Sequence, residues 1–128
     1  MVIDTSCLAA IFFKEAEREL FLDKIGQADS LQISAATVLE SGIVIEARLG
    51  EIGSTEFELF LIRYGIQIVP VNEEQVVVAR RAWRKYGKGN HLAGLNFGDC
   101  FAYALAKVSG EPLLAKGFDF QQTDLSLC

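Results

Sequence analysis

Three apolar windows of this chain each carry a single carboxylate. Residues 1–13 (MVIDTSCLAAIFF) hold one charged side chain, Asp4; residues 33–45 (ISAATVLESGIVI) hold only Glu40; residues 92–106 (LAGLNFGDCFAYALA) hold only Asp99. Such windows read as core, and burying a carboxylate is costly unless it is paired, hydrogen-bonded or bound to a metal. None of the three contains a Lys or Arg. Singly, Asp4 could end a strand, Glu40 could be a solvated helix residue and Asp99 could cap its helix; their coincidence in one short chain favours a shared site. Asp119, in Gly117-Phe118-Asp119-Phe120, is a fourth candidate. Four ionised carboxylates meeting at ~5 Å would repel by ~3 kcal/mol per pair at an effective dielectric of ~20, so protons or a divalent cation must compensate. Oxygen donors suit Mg²⁺ or Mn²⁺, and His91 is the only imidazole, which excludes a His-rich zinc site. Carboxylate-held Mg²⁺ most often meets phosphate oxygens and activates water for in-line attack. Phosphodiester hydrolysis is therefore the leading chemistry.

The elements that must position these acids follow from periodicity and punctuation. Val2-Ile3 reads as a buried strand ending at Asp4. Helical spacing runs from Ser6 to Phe13 and from Glu15 to Ile25. LQIS (31–34) is predicted as a strand, and 36–49 as a helix stopped by Gly50. Ser54 is the expected cap of a helix that runs to Tyr64 and ends at Gly65. The spacing predicts a strand over 66–71, with Pro70 marking an edge or an exit, and a helix over 73–86 capped by Asn72. A helix over 99–108, opened by Gly98, precedes a last strand over 112–115. Strands alternating with helices predict an α/β domain around a mainly parallel sheet. Ligands of such sheets gather outside the carboxyl ends of the strands. Asp4 lies at such an end, Asp119 should emerge at the same rim, and Asp99 sits at a helix N-terminus, where the dipole favours its ionised form.

Composition narrows the remaining possibilities. At 128 residues, 51% hydrophobic with nine Phe and two Pro, the chain has material for one substantial core and no signature of disorder. No run approaches the ~20 apolar residues of a membrane span, and MVIDTSC lacks the basic start and apolar core of a signal peptide, so a cytoplasmic protein is expected. Cys7, Cys100 and Cys128 form an odd set without a CxxC spacing, unlike a disulfide framework or structural zinc site. The net charge of −5 opposes bulk attraction of nucleic acid; attraction for phosphate must come from a metal or a local basic patch. Arg80, Arg81, Arg84, Lys85 and Lys88 supply five of the twelve basic residues within nine positions. They read either as a phosphate-steering patch or as a solvated helix C-terminus where cations suit the dipole.

The motifs resemble those of the PIN-domain ribonucleases, specifically the toxins of VapBC-type toxin–antitoxin modules. The likeness is carried by Val2-Ile3-Asp4-Thr5-Ser6, by Ile33-Ser34-Ala35-Ala36-Thr37-Val38-Leu39-Glu40, by Gly94 to Ala106 (GLNFGDCFAYALA), and by Pro112 to Phe120 continuing to Thr123-Asp124. The resemblance implies one PIN domain over residues 1–128, a three-layer α/β/α sandwich with a mainly parallel central sheet. It makes Asp4 and Asp99 the principal Mg²⁺ ligands, with Mn²⁺ as the alternative, and has Glu40 and Asp119 complete the acidic pocket; Asp124 competes for the last place. Thr5 or Ser6 supplies a hydroxyl beside Asp4, and Asn96 either bonds near the site or shapes the turn before Asp99. The resemblance further implies an RNA substrate, a homodimer, a prokaryotic cytoplasm, and a cognate VapB-type antitoxin laying a segment across the acidic groove.

Two competing readings are weaker. A phosphatase of the haloacid dehalogenase type also begins with a strand ending in Asp, but needs a second acid where Ser6 stands. A catalytically silent PIN-fold module that binds RNA or a partner would have no need of four retained acids. Of the other residues, His91 reads as a loop histidine or an RNA contact, Cys7 and Cys100 as small core residues, and the lone Trp83 as no sign of base stacking. The 54–64 helix is apolar on more than one face, which suggests a partner surface as well as a core face.

Overall fold

Successive residues of a strand face opposite sides of a sheet, and here both sides are apolar. Ile3, Ile33 and Leu114 enter one core, Val2 and Leu113 the other. Strands buried on both faces need helices on both, and the computed structural model, which describes residues 1–128, has them. The chain runs β1 (Val2–Ile3), α1 (Thr5–Phe12), α2 (Arg18–Gln27), β2 (Gln32–Ser34), α3 (Ala35–Arg63), β3 (Gln67–Val69), α4 (Glu73–Tyr86), α5 (Phe97–Ser109) and β4 (Leu113–Leu114), with a 3₁₀ turn at Phe120–Gln122. Leu8, Ile11, Phe21, Ile25, Ile45 and Phe57 bring α1, α2 and α3 onto one face. Ala82, Tyr86, Ala102, Tyr103 and Leu105 bring α4 and α5 onto the other. The result is the expected three-layer α/β/α sandwich.

All strands are parallel, in the order β3-β2-β1-β4. Val2 pairs with Gln32 on one side and Leu113 on the other. The chain thus builds outward from β1 to β3, then returns to add β4 on the opposite side of β1. Strand order reverses there, and the crevice beyond the carboxyl ends at such a switch point is where open α/β sheets bind ligands.

Several local expectations need correction. Gly50, at φ 69 and ψ −163, breaks α3, but helix resumes at Glu51. Ser54 therefore lies inside that second half and does not cap it. The helix predicted from Glu15 starts only at Arg18, because the chain turns through Lys14 at φ 55. The helix predicted from Asp99 begins at Phe97, with Asn96 and not Gly98 at its entry. Pro70 stands just past β3, an edge strand of three residues. Finally, two of the apolar windows are only half core: Leu39, Ile43 and Phe97 are 66%, 60% and 80% exposed. A helix turns one stripe to the core, so an apolar run longer than that stripe leaves residues outside. No helix is long and apolar enough to cross a membrane.

Candidate active site

Asp4 is the first residue past β1 and the N-cap of α1. Its N–H still donates to Leu114 O of β4 at 3.0 Å, which holds it at the rim of the sheet. Oδ2 accepts both the Ser6 N–H at 3.0 Å and the Ser6 hydroxyl at 2.6 Å. Ser6 Oγ in turn accepts the Lys116 N–H at 2.9 Å, so one hydroxyl ties the exit of β4 to the buried acid. Burial raises the Asp4 carboxyl above its ordinary range; the Ser6 bonds oppose that rise and the charge of Glu40 adds to it.

Glu40 reaches the site from the second turn of α3. The Thr5 hydroxyl donates to its Oε1, and the buried Ser41 hydroxyl donates to Thr5 Oγ1 at 3.1 Å. Thr5 and Ser6 therefore serve different acids, Thr5 orienting Glu40 and Ser6 orienting Asp4. Asp99 enters on the first turn of α5 in a capping box. Its N–H donates to Asn96 Oδ1 at 2.9 Å and its Oδ2 accepts the Asn96 N–H at 3.0 Å. Asn96 thus shapes the turn and fixes the carboxylate at once. Burial, above all, pushes the Asp99 carboxyl up to about 6; the Asn96 N–H pulls it down, and the charges of Asp4, Asp119 and Glu40 raise it further. One carboxyl feels all three others, so the four acids share one electrostatic neighbourhood.

Asp119 is exposed beyond β4, at the start of the 3₁₀ turn, with no side-chain capping bond. Asp124 is turned elsewhere: Lys107 Nζ donates to it at 2.7 Å and the Tyr103 hydroxyl at 2.6 Å. Lys107 first, then Tyr103, hold its carboxyl down at about 2. Of the two acids near the C-terminus, Asp124 is engaged on the flank of α5 by Lys107 and Tyr103, and Asp119 is left exposed, its charge adding to the rise at Asp99.

None of Asp4, Glu40, Asp99 and Asp119 has an ion pair. The cation nearest in the chain, Lys116, spends its ammonium on Glu15 and Glu17 at 3.0 and 3.2 Å. The donor set, all carboxylate and hydroxyl oxygen, fits a hard divalent cation. No group of three or more His, Cys, Asp or Glu side chains is gathered closely enough to hold a metal ion. Asp99 Oδ1 and Glu40 Oε2 accept no hydrogen bond from the protein, while the partner oxygen of each is fixed.

Other singled-out residues take plainer places. His91 Nδ1 accepts the Ala93 N–H at 3.0 Å and the ring packs edge-on against Tyr86, which shapes the 87–95 loop. Cys7 and Cys100 are buried thiols pushed up by burial. Arg80 and Arg84 line a 530 Å³ groove between α4 and α5 with Trp83, Phe97 and Phe101, and no basic residue of that helix is in an ion pair. Two contributors escaped the sequence reading. Ser41 could have been found as the one hydroxyl beside Glu40 on an apolar stretch of helix. The Lys116 backbone donor, 110 positions from Ser6, had no local signal.

The PIN domain family matches residues 1–125. Ribonuclease VapC of Mycolicibacterium smegmatis is 51% identical over 126 residues, covering 98% of each chain. Ribonuclease VapC30 of Mycobacterium tuberculosis is 51% identical over 127 residues, covering 98% of this chain and 96% of its own. Among solved structures, the Mycobacterium tuberculosis VapC20 toxin, described as cleaving the sarcin–ricin loop, superposes with a TM-score of 0.81 at 15% identity over 99% of this chain and 97% of its own. VapBC-1 from nontypeable Haemophilus influenzae gives 0.77 at 17% identity, over 99% and 95%. The family match and these relatives agree with the fold: the chain belongs to the PIN-domain family and, within it, to the VapC ribonucleases.

Proposed function

We propose that this chain hydrolyses RNA phosphodiester bonds as the toxin of a toxin–antitoxin module, with Asp4 and Asp99 holding Mg²⁺ or Mn²⁺ and Glu40 and Asp119 completing the site. The observation that carries the metal reading is the unneutralised acidic neighbourhood, in which the Asp99 carboxyl is pushed up to about 6 with no cation of the protein against it. A divalent cation bound there would polarise a phosphoryl oxygen and lower the pKa of its water. Asp4 is pinned by Ser6 and Asp99 by Asn96, so each presents a fixed carboxylate at the rim of the sheet. Thr5 fixes the rotation of Glu40, which leaves Oε2 to act on whatever occupies the crevice.

RNA as substrate follows from the ribonuclease relatives. A VapB-type antitoxin as partner follows from neighbours solved as toxin–antitoxin complexes, one from Klebsiella pneumoniae. Apolar residues left outside, Ile52, Leu59 and Ile62 on α3 among them, support such a contact, and a homodimer belongs to the same proposal. The test is incubation of the purified protein with single-stranded and loop-containing RNA in Mg²⁺, in Mn²⁺ and in chelator. Cleavage only with metal, abolished by Asp99→Asn, is expected. Undiminished cleavage by Asp99→Asn would sink the metal assignment, and no cleavage under any condition would favour a silent binding module.

A further inference from the structure

We propose that Gly98 is a positioning residue of the acidic site: its missing side chain is the seat on which the Glu40 carboxylate lies, across the first turn of α5 and beside Asp99. Gly98 is the second residue of α5, in a backbone conformation that any residue adopts, since its φ is not among the positive ones. Conformation therefore does not require glycine there, and helix propensity favours alanine by ~1 kcal/mol at interior positions. What does require glycine is space. A Cβ on Gly98 would stand 2.0 Å from Glu40 Oε2, 2.7 Å from its Cδ and 2.9 Å from Oε1, where ordinary contact begins at 3.4 Å. The whole carboxylate is stacked on the bare Cα, a use of glycine for close approach.

The three atoms nearest that Cβ all belong to Glu40. No backbone atom is among these three, and all belong to the end of a flexible side chain, so a methyl group there displaces Glu40 first. Glu40 is a flexible chain anchored at its tip only by the Thr5 hydroxyl. Pushed off Gly98, it leaves Asp99 and breaks with Thr5 together. The proposal rests on the reading of Glu40 as a site residue, and its geometric half can be tested without catalysis.

The experiment is a double-mutant cycle of Gly98→Ala and Glu40→Ala with two readouts. In the metal-free protein, the Thr5 methyl resonance reports the bond to Glu40. Gly98→Ala should move it as far as Glu40→Ala does, and adding Gly98→Ala to Glu40→Ala should move it no further. In RNA cleavage with Mg²⁺, Gly98→Ala should lower kcat about as much as Glu40→Ala, with KM unchanged and no further loss in the double variant, the non-additivity of two residues acting through one contact. Glu40→Asp retracts the carboxylate by one carbon–carbon bond, about 1.5 Å, so Gly98→Ala should cost much less on that background. A Thr5 resonance unmoved by Gly98→Ala overturns the proposal whatever the cleavage assay reads. Additive losses in kcat overturn it too. If Gly98→Ala alone fails to fold, the double variant decides: folding like Glu40→Ala supports the seat, and failing to fold refutes it. Absence of cleavage by the parent chain would instead strike the proposed function, leaving the methyl cycle to judge Gly98.

Discussion

Asp99→Asn separates the electrostatics of the site from its chemistry. The carboxyl is raised from an ordinary 3.8 to about 6, by burial first and then by its three acidic neighbours. Folding therefore takes up a proton between those values, and the stability it brings is present below about pH 4 and lost as pH rises through about 6. Roughly two pKa units correspond to about 3 kcal/mol; partial solvation of Asp99 screens this to about 1–2 kcal/mol. Asparagine keeps an acceptor for the Asn96 N–H and carries no charge. Without metal, the variant should melt about 3–8 °C above the parent chain near pH 8, with ΔΔG converted by the entropy of unfolding for this size. The gap should close near pH 4. Millimolar Mg²⁺ should raise the melting temperature of the parent chain by mass action and leave the variant unmoved, and the variant should not cleave RNA. Differential scanning fluorimetry across pH, with chelator and with Mg²⁺, reads all of this. A variant no more stable than the parent chain at pH 8 without metal would refute the claim that four unneutralised acids strain this rim.

Three further outcomes follow from the hydrogen-bond map. Thr5→Val removes the donor to Glu40 and the acceptor of Ser41, and should cut kcat by about 10–100-fold, as loss of an orienting partner does, with little change in melting temperature; undiminished turnover would mean that Glu40 needs no fixing. Asp124→Asn breaks the pair with Lys107 and the bond from Tyr103, and should cost about 0.5–1 kcal/mol at neutral pH, since the pair is half exposed. Because that carboxyl sits at about 2 against an ordinary 3.8, its contribution is present above about pH 4 and fades as pH falls through 2, which urea melts can follow. RNA cleavage should be unaffected; its loss would place Asp124 in the site. Asn96→Ala should cost about 0.5–2 kcal/mol as a lost cap, whereas Ser54→Ala, inside its helix, should be neutral or slightly stabilising; equal costs in chemical denaturation would restore Ser54 as a cap.

Charge pattern alone singled out Asp4, Glu40 and Asp99, because a lone carboxylate in an apolar window is a local feature with a known desolvation cost. Strand and helix periodicity was equally local, and it was enough to predict a parallel sheet with acids at its carboxyl rim. Tertiary structure decided what depends on partners far along the chain. Asp119 and Asp124 are five positions apart and chemically identical, yet only Asp124 is engaged by Lys107 and Tyr103 on α5. Thr5 and Ser6 are adjacent, yet one serves Glu40 across 35 positions and the other joins Asp4 to Lys116 across 110. Leu39, Ile43 and Phe97 read as core by composition and lie outside by helix rotation, which no residue type records. The candidate acids stood out in the sequence; which hydroxyl and which cap bind Asp4, Glu40 and Asp99 was settled by packing, because contact is a property of the folded chain.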